Sequence, residues 1–435
     1  MTQPVLALVV LMGAYAGVLA APVQFRTVLQ GGDGGSHSYR IPCLATAADG
    51  SLILVAEARR VSWKDKTRTD LIVTLSSDAG ATWSTPRLLT ESKGEAYMDP
   101  CIAVDAKSGR ISLFTTRWPT KDHSTKGNTL WLLTSTDHGQ TWSKPTDITT
   151  QFLPPGFRPS GTGPGAGIQL LSGPKAGRLL VALRGRPGGK PQSVALMSDD
   201  GGVTWKTGGN TSLTSDDELQ VAEIGPGILM SNRRAHQMRH SAVSRDSGQS
   251  WTPEKPRPEF LTLANGCHAA TFTAGKSILY TSPAGADARK GFDNRGRLTL
   301  LRSTDAGATW TEKAQLNELA AGYSCMTRLK DGRVAIVFET SDTPSFILNA
   351  ERSRWMRLDV GVLPAAVSDP SIPLSRTIPP PADRVLALTW RSVTLCWALQ
   401  STERRGGRVV DRAALEMPCT ARYRGFESLP LRQSG

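Results

Sequence analysis

The sequence has 435 residues and a mass of 46.7 kDa, with 39% hydrophobic and 20% charged positions. These fractions exclude a disordered chain, which would be less hydrophobic, and a protein with many membrane spans, which would be more so. The formal net charge is +13, but the basic residues are spread along the chain, so no nucleic-acid-binding surface is predicted. The 42 glycines, 28 prolines and 11 tryptophans favour an all-β fold over long helices.

Residues 1–21 are predicted to be a signal peptide. The hydrophobic segment from Val5 to Ala20 ends in the small-residue sequence Val18-Leu19-Ala20. It is shorter than the ~20 residues of a transmembrane helix, and no later segment is a better candidate. No Lys or Arg precedes it, which leaves an uncleaved anchor as the alternative. We therefore expect an exported protein (extracellular, periplasmic or lysosomal) without stable membrane insertion.

One eight-residue pattern, Ser-x-Asp-x-Gly-x-Thr/Ser-Trp, occurs five times in the sequence. Its copies are residues 76–83, 135–142, 198–205, 244–251 and 303–310, which places their aspartates 59, 63, 46 and 59 residues apart. In such a turn the Asp accepts hydrogen bonds from backbone N–H groups, the Gly adopts a positive φ, and the Trp packs beneath the hairpin. Segments with the hydrophobic period of β-strands precede the copies.

A repeat of about 50–60 residues that contains several strands predicts a β-propeller. Residues 22–364 have room for six blades, of which five carry the pattern. The sixth would follow Trp310 and be completed by a strand near Phe25–Leu29, which would close the ring. Residues 365–435 contain ten arginines, no lysine and no copy of the pattern, and we expect this tail of unknown role to be poorly ordered.

The cysteines do not indicate a metal or redox site. None of them occurs in C-x-x-C spacing, and no cluster of His, Cys and Asp has the spacing of metal ligands, so neither a metal nor another cofactor is predicted. Disulfides and buried free thiols both remain open for an exported protein. The six cysteines are Cys43, Cys101, Cys267, Cys325, Cys396 and Cys419.

The sequence Tyr39-Arg40-Ile41-Pro42 resembles the Phe/Tyr-Arg-Ile-Pro signature of the sialidase (neuraminidase) family. The eight-residue repeat resembles the Asp-box, which lies at outer hairpins of sialidase propellers and also occurs in proteins without enzymatic activity. Together the motifs cover roughly residues 24–345 and are most similar to secreted bacterial and lysosomal sialidases. The resemblance implies a six-bladed propeller and a retaining exo-α-sialidase that releases terminal sialic acid from glycoproteins, glycolipids or oligosaccharides.

The resemblance implies three arginines that hold the carboxylate of the substrate by charge-assisted hydrogen bonds. Arg40 matches the family signature directly. Arg233 follows a segment similar to the Leu-Asn-x-Arg ending of the family, with the adjacent Arg234 as its competitor. Arg295 lies before the strand that leads into the fifth Asp-box, and Arg297 is the alternative there.

The resemblance also implies a tyrosine nucleophile, because a carboxylate nucleophile would be repelled by the carboxylate on the anomeric carbon of the substrate. Tyr323 is the predicted nucleophile, and Glu218, in a segment similar to Glu-x-x-Val-x-Glu, is the predicted base. Asp65 is the predicted acid/base residue, with Asp70 second. Because Asp65 lies in a basic loop, residues 60–66, we expect neighbouring cations to lower its pKa.

Further residues are implied to surround the substrate. Glu339 would orient the first arginine, and Asp99 and Arg59 would line the pocket, as would residues 165–169. The expected partners are sialylated glycans rather than nucleic acid, and a monomer is expected. Two other functions stay open: a trans-sialidase, including the intramolecular kind, and a non-catalytic sialic-acid-binding propeller. The second is disfavoured because a binding protein needs neither a nucleophile nor a base.

Overall fold

The computed structural model describes residues 23–119, 127–212, 214–234, 238–260, 266–285, 295–310, 312–343 and 356–374. The predicted signal peptide, Cys396, Cys419 and the tail after residue 374 lie outside these ranges. In the described part no helix is long and apolar enough to cross a membrane. Its one α-helix is the single turn Thr149–Phe152, and three short 3-10 helices are Asp33–Gly35, Pro187–Gly189 and Ala365–Ser368.

Twenty-seven strands make up nearly all of the regular structure in the described residues. In chain order they are β1 (Phe25–Gln30), β2 (Ser38–Thr46), β3 (Leu52–Arg59), β4 (Thr69–Ser76), β5 (Arg87–Leu88), β6 (Glu95–Val104), β7 (Ile111–Pro119), β8 (Thr129–Ser135), β9 (Thr146–Asp147), β10 (Pro159–Thr162), β11 (Gly165–Ala166), β12 (Ile168–Gln169), β13 (Leu179–Gly185), β14 (Gln192–Ser198), β15 (Lys206–Ser212), β16 (Leu219–Gly225), β17 (Ile228–Arg233), β18 (Arg239–Ser241), β19 (Val243–Ser244), β20 (Lys255–Arg257), β21 (Ala270–Ala274), β22 (Ser277–Pro283), β23 (Leu298–Ser303), β24 (Glu312–Gln315), β25 (Ser324–Arg328), β26 (Val334–Thr340) and β27 (Arg357–Leu363).

The strands pair as successive antiparallel blades. Blade 1 contains β2–β5, blade 2 contains β6–β9, and blade 3 contains β10 and β12–β15. Blade 4 contains β16–β20, blade 5 contains β21–β24, and blade 6 contains β25–β27 and β1. The strands form five separate sheets rather than six, because Thr69 in β4 pairs in parallel with Ala96 in β6 and joins blades 1 and 2. The prediction of an all-β propeller is confirmed.

The N-terminal strand completes the last blade, as the sequence predicted. Strand β1 pairs antiparallel with β27, from Phe25 opposite Gly361 to Gln30 opposite Arg357. The Phe25 ring packs edge-on against Phe338 with 5.0 Å between the ring centroids. Residues from the two ends of the propeller therefore share one sheet.

Hydrophobic side chains fill the spaces between neighbouring blades. Leu54 of blade 1 packs with Val337 of blade 6 in one buried cluster, and Val55 of blade 1 packs with Leu113 of blade 2 in another. Strands β3 and β4 are buried along their whole length, and each contains a continuous hydrophobic run, Leu52–Ala56 and Leu71–Val73, that faces both sides of the sheet. This packing fixes the positions of the inner strands, which carry the site described below.

The Asp-box forms the turn that its residues predict. In the first copy, Asp78 Oδ1 accepts hydrogen bonds from the backbone N–H of Thr82 at 2.8 Å and from the Ser76 hydroxyl at 2.8 Å. Gly80 has a φ of 90°, and the indole N–H of Trp83 donates to its carbonyl at 3.2 Å. The same Asp contacts recur in the other four copies. The motif is thus a structural turn at the end of a strand.

The predicted boundary at residue 364 is wrong, because the chain continues against the propeller to Leu374. Val367 and Leu374 are fully buried in the hydrophobic cluster of blades 5 and 6. The guanidinium of Arg302, in β23, donates hydrogen bonds to the backbone carbonyls of Val367 at 3.1 Å and Asp369 at 2.8 Å. No hydrophobic period marks this segment, because its only regular element is the short 3-10 helix Ala365–Ser368.

The four cysteines in the described part of the chain are free thiols. Cys43, Cys101, Cys267 and Cys325 are all buried, and none of them forms a disulfide. The sequence left disulfides and buried free thiols open, and these four residues are buried free thiols.

Candidate active site

A cavity of about 220 Å³ is lined by residues in or next to blades 1, 2, 3, 4 and 6. It contains the predicted nucleophile, base and acid/base residues together. The lining residues are Ile41, Arg59, Asp65, Lys66, Met98, Asp99, Trp118, Arg184, Asp217, Glu218, Arg234 and Tyr323.

Tyr323 and Glu218 are in direct contact inside this cavity. Tyr323 immediately precedes β25 and Glu218 immediately precedes β16, so two different blades supply them. The Tyr323 hydroxyl donates a hydrogen bond to Glu218 Oε1. Arg234 Nη1 lies 2.8 Å from Glu218 Oε2 and 3.0 Å from the Tyr323 hydroxyl oxygen. The phenol therefore has a carboxylate that can accept its proton and a cation that can stabilise its oxygen.

The pKa values of Glu218 and Tyr323 are shifted in opposite directions. Burial would raise the pKa of Glu218, but the charges of Arg234 and Arg184 outweigh it and hold that pKa below its usual range. Burial and the charge of Glu218 raise the pKa of Tyr323, while Arg234 and two further arginines oppose this shift. Glu218 is therefore ionised and Tyr323 is protonated in the free protein.

Three arginines from different blades surround the Tyr323 ring. The guanidinium carbons of Arg40 and Arg295 lie 5.3 and 5.6 Å from the ring centroid, and Arg234 approaches the hydroxyl as described above. Arg40 is fixed by Glu339 through two hydrogen bonds of 3.1 and 3.2 Å, the contact that the sequence resemblance implied. Because guanidinium groups stay charged at all accessible pH values, the surroundings of the Tyr323 ring are permanently cationic.

The choice of Arg233 over Arg234 needs correction. Arg233 is the last residue of β17 and its side chain pairs with Glu254, Nε to Oε1 at 2.7 Å and Nη2 to Oε2 at 3.0 Å. It does not line the cavity, whereas Arg234 does. Successive residues of an extended chain point to opposite sides, so only one of the two can reach Tyr323.

The second uncertain arginine lies where the sequence placed it. Arg295 is fully buried beside Tyr323, and one of its nitrogens donates to the carbonyl of Gly266 at 3.2 Å. The competitor Arg297 instead donates to the carbonyl of Gly285, whereas Arg295 lies 5.6 Å from the centroid of the Tyr323 ring.

Asp65 lies in the loop after β3 at the mouth of the cavity, with 59% of its side chain exposed. Its Oδ1 lies 2.7 Å from Arg59 Nη1 and 3.6 Å from Arg40 Nη1. Burial would raise the pKa of Asp65, but the charges of Arg59 and Arg40 outweigh it and lower that pKa. The other candidate, Asp70, is buried in an ion pair with Arg60 at 2.6 Å and does not line the cavity.

Asp99 lines the cavity together with Arg184, which no motif had indicated. Asp99 lies in a bulge of β6 between Met98 and Cys101 and has a positive φ of 53°. Its Oδ2 forms an ion pair with Arg184 Nη2. Arg184 follows the hydrophobic run Leu179–Leu183 of β13, and a charged residue at the end of such a buried strand is the signal that could have found it.

The remaining wall is partly aromatic and was also missed from the sequence. Lys66 Nζ lies 4.2 Å from the centroid of the Trp118 ring, and Met98 packs in the same small buried cluster as Trp118. Met98 and Trp118 thus add apolar surface to the cavity, and the Lys66 ammonium lies over the Trp118 ring.

Residues 165–169 do not line this cavity, contrary to the prediction. Residues 166–169 instead border a second cavity of about 310 Å³ formed by later residues of the inner strands, such as Leu44 and Met326. Since Ile41 and Tyr323, which line the first cavity, precede those residues along the chain, the two cavities lie toward opposite ends of β2 and β25. In the described part of the chain, no group of three His, Cys, Asp or Glu side chains is placed to hold a metal ion.

Comparison with known proteins agrees with this geometry. A family model described as a BNR repeat-like domain matches residues 50–336. A sialidase of Bacteroides fragilis is 31% identical over 349 residues, which cover 72% of this chain and 62% of the relative. The chain belongs to the sialidase family.

Two further relatives support the family assignment. A sialidase of Micromonospora viridifaciens is 29% identical over 70% of this chain and 50% of its own length. The solved structure of the Hadza microbial sialidase Hz136 superposes with a TM-score of 0.66 at 27% identity and covers 78% of this chain and 68% of that chain. The chain thus spans between half and two thirds of the first two sialidases.

Proposed function

We propose that this member of the sialidase family is a retaining exo-α-sialidase that removes terminal sialic acid from glycoproteins, glycolipids or oligosaccharides. The observation that carries the proposal is the hydrogen bond from the Tyr323 hydroxyl to Glu218 within a cavity lined by arginines. A neutral phenol suits an anomeric carbon that bears a carboxylate, because it approaches without charge repulsion.

The substrate carboxylate binds among Arg40, Arg234 and Arg295. Their positions around Tyr323 support this assignment, since a carboxylate held by all three would place its attached anomeric carbon near the phenol oxygen. Charge-assisted hydrogen bonds from guanidinium groups are among the strongest that an anionic ligand can receive. The pairing of Arg40 with Glu339 keeps one guanidinium in a fixed orientation.

In the first step, the Tyr323 oxygen attacks the anomeric carbon while its proton passes to Glu218. The bond from that carbon to the glycosidic oxygen breaks, and Asp65 gives its proton to the departing oxygen. The product of this step is a sialyl group bound to Tyr323, together with the free aglycone alcohol. Two protons move in this step, one from Tyr323 to Glu218 and one from Asp65 to the departing oxygen. No other reactant is needed.

In the second step, water attacks the same carbon and the bond to Tyr323 breaks. The Asp65 carboxylate takes a proton from the water, and Glu218 returns its proton to the tyrosine oxygen. Two inversions at one carbon give net retention, so the sugar is released first as the α-anomer.

The decisive experiment replaces Tyr323 by phenylalanine, which keeps the ring and removes the oxygen. We expect turnover of a fluorogenic aryl sialoside to fall by at least about 10³-fold while the protein stays folded. The matched control is Tyr97→Phe, since Tyr97 is a buried tyrosine of β6 that does not line the cavity. A fluorinated sialosyl fluoride should label the wild type at Tyr323 and leave the variant unlabelled.

The same assay separates the alternatives. Transfer of the sialyl group to added lactose would indicate a trans-sialidase, and a bicyclic anhydro sugar as product would indicate the intramolecular kind. Binding of sialic acid without turnover would indicate a non-catalytic propeller. Near-normal rates in Tyr323→Phe, or release of the β-anomer first, would contradict the tyrosyl mechanism.

A further inference from the structure

The second cavity is larger than the catalytic one and takes no part in the proposed reaction. Its volume is about 310 Å³, against about 220 Å³ for the catalytic cavity. Inner strands of blades 1, 2, 4, 5 and 6 surround it, together with β11 and β12. Ligand-binding cavities of about 300 Å³ and more are mostly apolar and carry a few polar groups that hold the ligand. The lining residues therefore indicate which kind of ligand fits.

Close packing separates the second cavity from the catalytic one. Gln220 and Cys325 line the second cavity, two residues after Glu218 and Tyr323 along the chain. Gly165 lies against them with little room to spare, since a Cβ atom there would be 3.1 Å from Gln220 Nε2 and 3.5 Å from Cys325 Sγ. A ligand of the second cavity therefore enters from the end that is remote from the catalytic groups.

The threonines that line the second cavity are already hydrogen-bonded within the protein. Thr46 and Thr327 share a hydrogen bond of 3.1 Å between their hydroxyls. The Thr273 hydroxyl donates to a backbone carbonyl of β16 at 2.7 Å, and the Thr271 hydroxyl accepts from the Asn232 amide at 3.0 Å. Most of the other lining residues are apolar, among them Leu44, Val104, Ile168 and Met326. The interior therefore offers a ligand mainly apolar surface.

Among the described residues, only Glu223 and Arg328 bring a charge to the lining. The Glu223 carboxylate accepts from the backbone N–H groups of Leu171 and Ser172, at 2.6 and 3.2 Å, and from the Ser172 hydroxyl at 2.9 Å. The Arg328 guanidinium donates one hydrogen bond within the described part of the chain, from Nη2 to the Thr273 carbonyl at 3.2 Å, and pairs with no carboxylate there. An anionic group thus finds free donors, whereas a cation finds a carboxylate that is already bonded.

We propose that the second cavity binds an amphipathic carboxylate, with the carboxylate on Arg328 and an apolar body directed toward Cys325. Arg328 is the last residue of β25 and Cys325 is the second, so the cation lies at the outer end of the cavity. Three strand residues span about 10 Å, which limits the length of the apolar body. Leu171, 66% exposed at the edge of the same cavity, extends the apolar surface outward. The inference does not rest on the proposed function.

The test measures binding of straight-chain compounds to the full chain by calorimetry, below their micelle concentrations. From octanoate to decanoate the dissociation constant should fall by roughly 10-fold, because each buried methylene contributes about 4-fold in affinity. Decanol, with the same chain and no charge, should bind more weakly, and decylamine more weakly still. No binding of decanoate, or equal binding of decanoate and decylamine, would overturn the proposal.

Variants of the lining test the two halves of the ligand separately. Arg328→Met removes the cation, so decanoate should lose about 10–100-fold in affinity while decanol keeps its own. Ala166→Leu fills part of the cavity at a half-buried lining residue, and both compounds should then bind more weakly. Arg333→Met is the matched control, since Arg333 follows β25, pairs with Asp331 at 2.7 Å and does not line the cavity. Unchanged decanoate binding in Arg328→Met would show that the ligand lies elsewhere.

The arginines of the catalytic cavity are a rival site for any carboxylate, so the location of decanoate needs its own test. Folded Arg234→Met, and the wild type saturated with sialic acid, should both bind decanoate with unchanged affinity. Loss of decanoate binding in either case would place the ligand in the catalytic cavity and overturn the proposal. If the wild type neither binds nor hydrolyses sialosides, the proposed function fails, and the Arg234→Met and Arg328→Met variants still decide whether decanoate occupies the second cavity.

Discussion

At the scale of single residues, Arg233 and Arg234 are chemically identical neighbours in different environments. Arg234 contacts Tyr323 and Glu218, whereas Arg233 is buried against Glu254 with 7% and 11% of the two side chains exposed. Loss of either arginine leaves a buried carboxylate without its cation, but only loss of Arg234 also removes a contact to the proposed nucleophile.

The two arginines should therefore differ in their effect on the activity of the folded protein. We expect Arg234→Met to lower kcat/KM of the folded fraction for an aryl sialoside by at least about 10²-fold. We expect Arg233→Met to lower the free energy of unfolding by on the order of 3–5 kcal/mol while the folded fraction stays active. Calorimetry and kinetics on both variants check this. If folded Arg233→Met lost its activity and Arg234→Met did not, Arg233 would be the substrate-binding arginine.

Asp65 is the residue whose role depends most on the departing group. A general acid speeds departure of a poor leaving group by about 10²–10⁴-fold and is hardly needed for a good one. Asp65→Asn should therefore cleave a sialyl-lactose far more slowly than the wild type, but a nitrophenyl sialoside nearly as fast. Asp70→Asn serves as the control and should affect both substrates equally, as should Asp65→Asn if Asp65 were not the acid.

The arginines around Asp65 also predict a difference between two pH profiles. A general acid must be protonated, so activity falls as pH rises through its pKa. Arg59 and Arg40 lower the pKa of Asp65 in the free protein, and an anionic substrate beside Arg40 offsets that effect in the complex. The basic limb of kcat/KM should thus lie at lower pH than that of kcat, and coincident limbs would contradict this account.

Most of the candidate site could be predicted from the sequence because its residues lie in short local motifs. Tyr39-Arg40-Ile41-Pro42 and the segment around Glu218 could be matched residue by residue. The choice between Arg233 and Arg234 required the orientation of the chain where β17 ends, which a motif does not record. Arg184 was missed because its place in the site depends on contact with Asp99, 85 residues away, and its position at the end of a hydrophobic run was the one local signal.

At the scale of elements, the turns were predictable and the strand pairing was less so. An Asp-box forms its hydrogen bonds within eight consecutive residues, so its structure follows from its sequence. The parallel contact between Thr69 and Ala96 that joins two blades depends on their packing and has no sequence signal. The segment after Pro364 was missed for a similar reason, since Arg302 of blade 5 binds the Val367 carbonyl, and Val367 and Leu374 pack in the hydrophobic cluster of blades 5 and 6.

That segment supports a truncation experiment. A chain ending at Pro364 loses the buried side chains of Val367 and Leu374, each worth about 1.5–3 kcal/mol, and leaves the Arg302 guanidinium without its carbonyl acceptors. We expect its melting temperature to fall clearly, whereas a chain ending at Leu374 should melt as the full chain does. Equal melting temperatures for the two truncations would place the boundary at Pro364 after all.

At the scale of the whole molecule, the site exists only because different blades meet at the axis. Arg40 and Asp65 belong to blade 1 and its loop, Glu218 immediately precedes blade 4, and Tyr323 immediately precedes blade 6. No single blade carries both the nucleophile and its base. The geometry of the catalytic groups therefore depends on closure of the ring. The pairing of β1 with β27 closes the ring through noncovalent contacts.

Removal of β1 should for this reason abolish most of the activity, although β1 lies away from the catalytic groups. The strand contributes the buried Leu29, the Phe25 ring against Phe338 and a hydrogen bond from Thr27 to Asp359 at 2.8 Å. A chain that begins at residue 31 exposes the edge of β27 in the blade that holds Glu339 and follows Tyr323. We expect it to unfold at a lower temperature and to lose most of its turnover.

The matched control begins at residue 23, which removes the predicted signal peptide and keeps β1. It should melt and turn over as the mature protein does. Adding a synthetic peptide of residues 23–31 to the shorter chain should restore part of the activity, because the peptide can pair with the free edge of β27. Full activity of the shorter chain without the peptide would show that the remaining strands of blade 6 hold Tyr323 and Glu339 in place unaided.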